Sequence, residues 1–247
     1  MSLSIIGLLV CGALMLAALR TRAPILVALI MSFAFGATAF VSLPALGGSS
    51  PIIYVVFVLA LLASVALRRD LNRDLTTVFT YQPTAWLLVL LAMYAMASAY
   101  LMPRIFAGET SVFIPEASGG GIVEVPLYPS NGNITQTAYL LLGIMSSIAV
   151  SVVLLDQRNF AAIRQGYFAW AGVHVGLGFA DLLGKLAGAP DVLAPIRTAS
   201  YAMLTHVGVA GLWRLAGPYS PASGLGAATI VLVPSTFSCC RPTTDPL

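Results

Sequence analysis

Charge is what this chain lacks most: Asp, Glu, Lys and Arg together make up 9% of its 247 residues, and histidine occurs twice. A water-soluble domain carries about a quarter charged residues, so the composition argues against a free-standing soluble fold. The charges sum to +3, from 12 Lys and Arg against 9 Asp and Glu scattered along the chain, which leaves no basic patch for nucleic acid. Cysteine is nearly as scarce. Cys11 sits inside an apolar run and Cys239 and Cys240 are adjacent, an arrangement with neither a disulfide framework nor a metal-ligand spacing. The sequence also has no Walker loop, no HExxH, no CxxC and no nucleophile elbow. No catalytic residue can be assigned from such motifs, and no metal or cofactor is expected.

What fills the chain instead is apolar sequence, 59% of all residues. A helix needs about 20 mainly apolar residues to cross a hydrocarbon core. Runs at roughly 3–19, 23–43, 52–67, 84–102 and 137–155 approach or meet that length. A sixth, about 161–182, carries internal polar residues, and a seventh begins at Pro221 and runs to about Cys240. The first run is followed, not preceded, by arginines (Arg20, Arg22), the reverse of a cleaved signal peptide, so it reads as a retained helix. The fold expected is all-α: a polytopic transmembrane bundle over 1–240, with about seven spanning helices and one amphipathic or re-entrant helix, followed by an atypical tail at 241–247.

The connecting stretches carry an orientation signal. Arg20 and Arg22, the stretch "RRDLNRD" (68–74) and Arg158 fall in alternate loops, whereas loops 44–51 and 103–136 hold Arg104 alone. The positive-inside rule then places the N-terminus outside and the arginine loops in the cytoplasm. Loop 103–136 becomes external; its β-branched pieces, separated by Gly119-Gly120-Gly121 and Pro126, predict a small hairpin or lid. Trp86, Tyr100 and Trp213 lie near run ends, as interfacial anchors do. Residues 192–216 are long enough for a helix but include Arg197, His206 and Arg214. They admit two readings, a full crossing or an amphipathic or re-entrant helix within an external segment at about 183–220.

Two constellations stand out. On the sixth run Tyr167, His174, Gly178, Asp181 and Lys185 lie within about 40° of one line at 100° per residue, which makes a polar stripe. Ionisable groups inside a membrane face a bundle interior or a wet cavity. The plainer alternative is a core-bonded His174 and an i,i+4 pair of Asp181 with Lys185. Gly172, Gly176 and Ala180 form a separate small-residue face that suits close helix packing. The second constellation is "RLAGPYSPASGLGA", Arg214 to Ala227. Ser220 followed by Pro221 is an N-cap followed by a first-turn proline, and the exposed N–H groups of such a helix start, beside Arg214, suit an anion. An ordinary loop with a snorkelling arginine is the alternative.

The stretch "IRTASYAMLTHVGVAGLWRLAGPYSPASGLGA", Ile196 to Ala227, resembles the bacterial O-antigen polymerase and O-antigen ligase superfamily, particularly its exopolysaccharide-polymerase-like members. The matching positions are Arg214, Gly217, Tyr219 and Pro221-Ala222-Ser223; Pro221 departs from the acidic residue that relatives often carry there. The resemblance implies an inverting, metal-independent glycosyl transfer at the periplasmic face of the bacterial inner membrane. The donor would be an undecaprenyl-pyrophosphate-linked saccharide and the acceptor a growing glycan or lipid. It further implies pyrophosphate binding by Arg214 and Arg197, with Gly217, Tyr219, Ser220 and Ser223 around them. Membrane lipids and other polysaccharide-export proteins are the further partners expected. Because relatives are longer, the chain is expected to be a truncated N-terminal portion, in which activity would be lost. The competing functions are a transporter or permease, with the polar stripe lining its pathway, and a non-catalytic membrane assembly subunit.

Overall fold

A computed structural model describes residues 2–42, 50–115, 122–189, 191–199, 208–209, 212–213 and 216–219. These residues are mostly helical. In chain order they form strand β1 (Ser2–Leu3), helices α1 (Ile5–Ala18) and α2 (Pro24–Ser32), strand β2 (Val41–Ser42), and helices α3 (Ile53–Ala66), α4 (Leu71–Tyr81) and α5 (Pro83–Ile105). Strands β3 (Ser111–Pro115) and β4 (Ile122–Pro126), helices α6 (Asn131–Leu154) and α7 (Phe160–Leu186), and strands β5 (Gly208–Val209) and β6 (Leu212–Trp213) follow.

Helices α5 and α6 are long and apolar enough to cross a membrane. Helices α1 and α3 are apolar but have 14 residues each. At about 1.5 Å per residue they reach roughly 21 Å, short of the ~30 Å hydrocarbon core. Helix α7 has 27 residues but carries Arg164, Asp181 and Lys185. Two helices among the described residues thus have spanning length and composition, where the sequence predicts seven spans. The span expected from Pro221, with Ser220 and Ser223 at its start, lies outside the described residues, as does Arg214.

Three elements differ from the sequence expectation. The apolar run 23–43 is helical only to Ser32. Beyond it the backbone is claimed by other segments: Phe40 N–H donates to the Pro51 carbonyl at 2.8 Å, Ile53 N–H to Thr38 at 3.1 Å, and Ala37 N–H to Pro218 at 3.0 Å. Those partners satisfy backbone groups that a helix would otherwise pair internally. Second, the arginine-rich loop opens a helix, α4, whose apolar Leu71, Leu75, Val78 and Phe79 recur at helical spacing. Third, the described part of 192–216 is no α-helix but a 3-10 turn at Ala194–Ile196, an irregular piece at 197–199 and the β5–β6 pair. Its backbone docks on the segment after α2, with Ala199 N–H donating to Ala37 at 3.0 Å and Ala39 N–H to the Thr198 hydroxyl at 3.0 Å.

The chain divides into two compact units, Met1–Ser64 with Val153–Leu247, and Val65–Val152. In the first, Ser4 caps α1 by accepting from Gly7 N–H at 3.1 Å, and Pro24 opens α2. Helix α2 crosses α7 closely at Gly166, where a Cβ would lie 3.2 to 3.3 Å from Ile30 and Val27. Gly172 and Gly176, the small-residue face, meet nothing within 4 Å among the described residues. The second unit holds α4, α5, the β3–β4 hairpin and most of α6. The hairpin expected in the 103–136 loop is present, in register from Ser111 opposite Pro126 to Pro115 opposite Ile122.

Candidate functional site

The geometry of the polar stripe begins with the end of α7. Gly188, at φ +75°, stops the helix: its N–H donates to Lys185 at 3.3 Å, and Ala189 N–H reaches back to Gly184 at 2.8 Å. This paired closure needs a left-handed residue, which glycine supplies without a Cβ penalty. The chain turns back through Ala194–Ile196 and brings Arg197 alongside the helix it has just left.

There Asp181 is the hub. Its carboxylate accepts from Lys185 Nζ at 3.0 Å, from Arg197 Nη2 at 2.9 Å, and from the backbone N–H groups of Ala216 and Gly217 at 3.1 Å each. The Asp181 side chain is fully buried, with those of Lys185 and Arg197 6% and 4% exposed. Burial of an ion is costly unless it is paired and its remaining hydrogen-bonding capacity filled. Four donors on one carboxylate meet that condition. The Arg197 Nε also donates to the Gly217 carbonyl at 2.9 Å, and its Nη2 reaches the same oxygen. Gly217, at φ +55°, therefore offers its N–H to the acid and its C=O to the base.

About two turns back along α7, His174 is buried. Its Nδ1 lies 3.3 Å from the Tyr219 hydroxyl, which in turn donates to the Phe33 carbonyl at 3.0 Å. A phenol has one hydrogen. With that hydrogen on Phe33, Nδ1 carries the proton of the second bond. Burial raises the Tyr219 phenol above its ordinary pKa, which keeps it the donor. The Tyr219 ring packs where a Cβ on Gly36 would go, and Trp170 stacks next to His174 with ring centroids 5.9 Å apart.

Of the residues singled out in the sequence, His174, Asp181, Lys185, Arg197, Gly217 and Tyr219 come together in one layer over α7. Tyr167 lies on the same helix, with its ring 5.6 Å from that of Trp170. Arg197, expected as a pyrophosphate ligand, makes internal bonds to Asp181 and Gly217. Arg197, Ala216, Gly217 and Tyr219 lie against the stripe, and the pair Asp181–Lys185 is formed and buried. Sequence reading missed Phe33, Gly36 and Trp170 as members of this layer. Aromatic and glycine positions in an apolar run carry no polar signal, and only the fold brings the post-α2 segment to Tyr219. No family model, no curated protein and no solved structure matches the chain.

Proposed function

We propose that this is a multi-pass protein of the bacterial inner membrane, N-terminus outside, that serves surface-polysaccharide assembly by glycosyl transfer from an undecaprenyl-pyrophosphate-linked saccharide at the periplasmic face. The observation that carries the reading is the buried Asp181 clamp. It takes both N–H groups of Ala216–Gly217 and, through Arg197, the Gly217 carbonyl. The turn so gripped is the part of the Ile196–Ala227 resemblance that contains Gly217 and Tyr219, and Arg214 stands two residues before Ala216 in sequence. In this reading Arg214 is the ligand of the pyrophosphate and Arg197 a positioning residue. Preplaced donors at a leaving pyrophosphate stabilise charge as it develops there, which is where such a reaction gains most. Guanidinium suits the task because it stays protonated and binds phosphate oxygens in pairs. The two helices of spanning length support the membrane part of the reading.

The test is genetic and biochemical. In a strain whose surface glycan depends on this chain, Arg214→Ala and Arg214→Lys should abolish glycan lengthening with the protein's membrane level unchanged. Arg197→Ala should lower the level of folded protein instead. A normal ladder of glycan lengths in both Arg214 variants would overturn the assignment.

A further inference from the structure

The α4–α5 elbow in the second unit belongs to none of the chemistry above. Gln82 alone separates Tyr81, the last residue of α4, from Pro83, the first of α5. The elbow is stitched from both sides: Gln82 N–H donates to Val78 at 2.8 Å, Trp86 Nε1 to the Phe79 carbonyl at 3.1 Å, and the Phe79 and Trp86 rings lie 4.9 Å apart. A helix joined so tightly to one long and apolar enough to cross a bilayer has no slack to leave the membrane surface. Its composition suits that surface. Leu71, Leu75, Val78 and Phe79 fall in an arc of about 100°, and Asn72, Arg73, Thr76, Thr77 and Thr80 occupy the rest.

Between the two helices is an open hollow of about 530 Å³ lined by Asn72, Leu75, Thr76, Phe79, Thr80 and Trp86. One wall is apolar and aromatic, the other hydroxyl and amide; five of the six residues belong to α4, and Trp86 lies in the first turn of α5. Three arginines stand close in sequence to the hollow's residues. Arg68 is held by Asp74 at 3.3 Å, whereas Arg69 and Arg73 are exposed, with exposed Asp70 between them. Arg73 lies within about 60° of Thr76 and 20° of Thr80 around the helix.

We propose that this hollow is a binding site for one phospholipid of the adjoining leaflet. Its acyl chain lies against Leu75, Phe79 and Trp86, its glycerol region meets Asn72, Thr76 and Thr80, and its phosphate is drawn to Arg73, with anionic headgroups preferred. The proposal rests on the membrane reading above, and it needs neither Arg214 nor any glycosyl transfer.

The experiment uses the full chain: membranes that carry it are first washed with alkaline carbonate, and the chain is then purified in detergent and offered an equimolar mixture of phosphatidylglycerol and phosphatidylcholine. Native mass spectrometry reads what stays bound. The chain should resist carbonate and keep one phospholipid mass, with phosphatidylglycerol favoured. Thr76→Trp, an exposed position whose new side chain fills the hollow, should lose that mass with its helical circular dichroism unchanged. Arg73→Gln should keep the mass and lose the preference. Release by carbonate would overturn the membrane reading and this site with it. A carbonate-resistant chain that carries no lipid, or a Thr76→Trp chain that keeps it, would overturn the lipid site alone. An unchanged preference in Arg73→Gln would overturn the phosphate assignment.

Discussion

In the first unit the buried Asp181 carboxylate organises two cations and two backbone N–H groups from positions 4, 16, 35 and 36 residues away. Removing one partner of a buried ion network leaves the others uncompensated, which costs about 3 to 5 kcal/mol. Asp181→Asn keeps the volume and one acceptor oxygen, so it should lose about 3 kcal/mol, read as a drop in the midpoint of thermal unfolding in detergent. A midpoint equal to that of the parent chain would mean that the four donors contribute nothing to the fold. Part of this hub is legible in sequence, because Asp181 and Lys185 sit one helical turn apart and pair by spacing alone. Arg197 and Gly217 are not, since a contact across a chain reversal leaves no periodic trace. The polar stripe itself is readable; that its Asp181 end meets Arg197 and Gly217 rather than water depends on the Gly188 closure, which turns the chain back.

At the scale of elements, the segment after α2 illustrates a competition that hydropathy does not register. Residues 33–40 are apolar enough to extend a helix, yet Ala37, Thr38, Ala39 and Phe40 all give backbone groups to other parts of the first unit. Gly36 makes one of these approaches possible, since a Cβ there would enter the Tyr219 ring. Overfilling a packed site of this kind costs about 1 to 3 kcal/mol. Gly36→Ala should therefore destabilise the chain, and the penalty should largely vanish when Tyr219→Ala is introduced beside it. A double-mutant cycle in chemical unfolding measures that coupling, and strict additivity would show that the two positions do not touch. Helix α4 is the converse case: its 3.6-residue pattern is plain, but the charged residues around its start resemble those of a loop. The β3–β4 hairpin was legible from its β-branched pieces and intervening glycines, for the ordinary reason that turn chemistry is local.

For the whole molecule, the charge asymmetry between loops makes a topological forecast that stands apart from the chemistry. In a chain freed of its native cysteines, a single cysteine at Glu109, after α5, should react with an impermeant maleimide on intact spheroplasts. One at Gln157, before α7, should react only after lysis. The opposite pattern would invert the orientation. How many times the chain crosses is hard to read from hydropathy alone. Hydropathy counts apolar residues without asking which of them stay helical, and α1 and α3 stop at 14 residues. The spacing of the Asp181 hub has a last consequence, for biosynthesis. Lys185 is made four residues after Asp181, whereas Arg197 and Gly217 follow 16 and 36 residues later. On the membrane reading, α7 would thus meet the insertion machinery with its Asp181 charge already paired, and the remaining donors would engage only once the emerging polypeptide had doubled back on it. The order of the letters would then act as an assembly timetable, in which a local counter-ion engages first and the distant donors join it later.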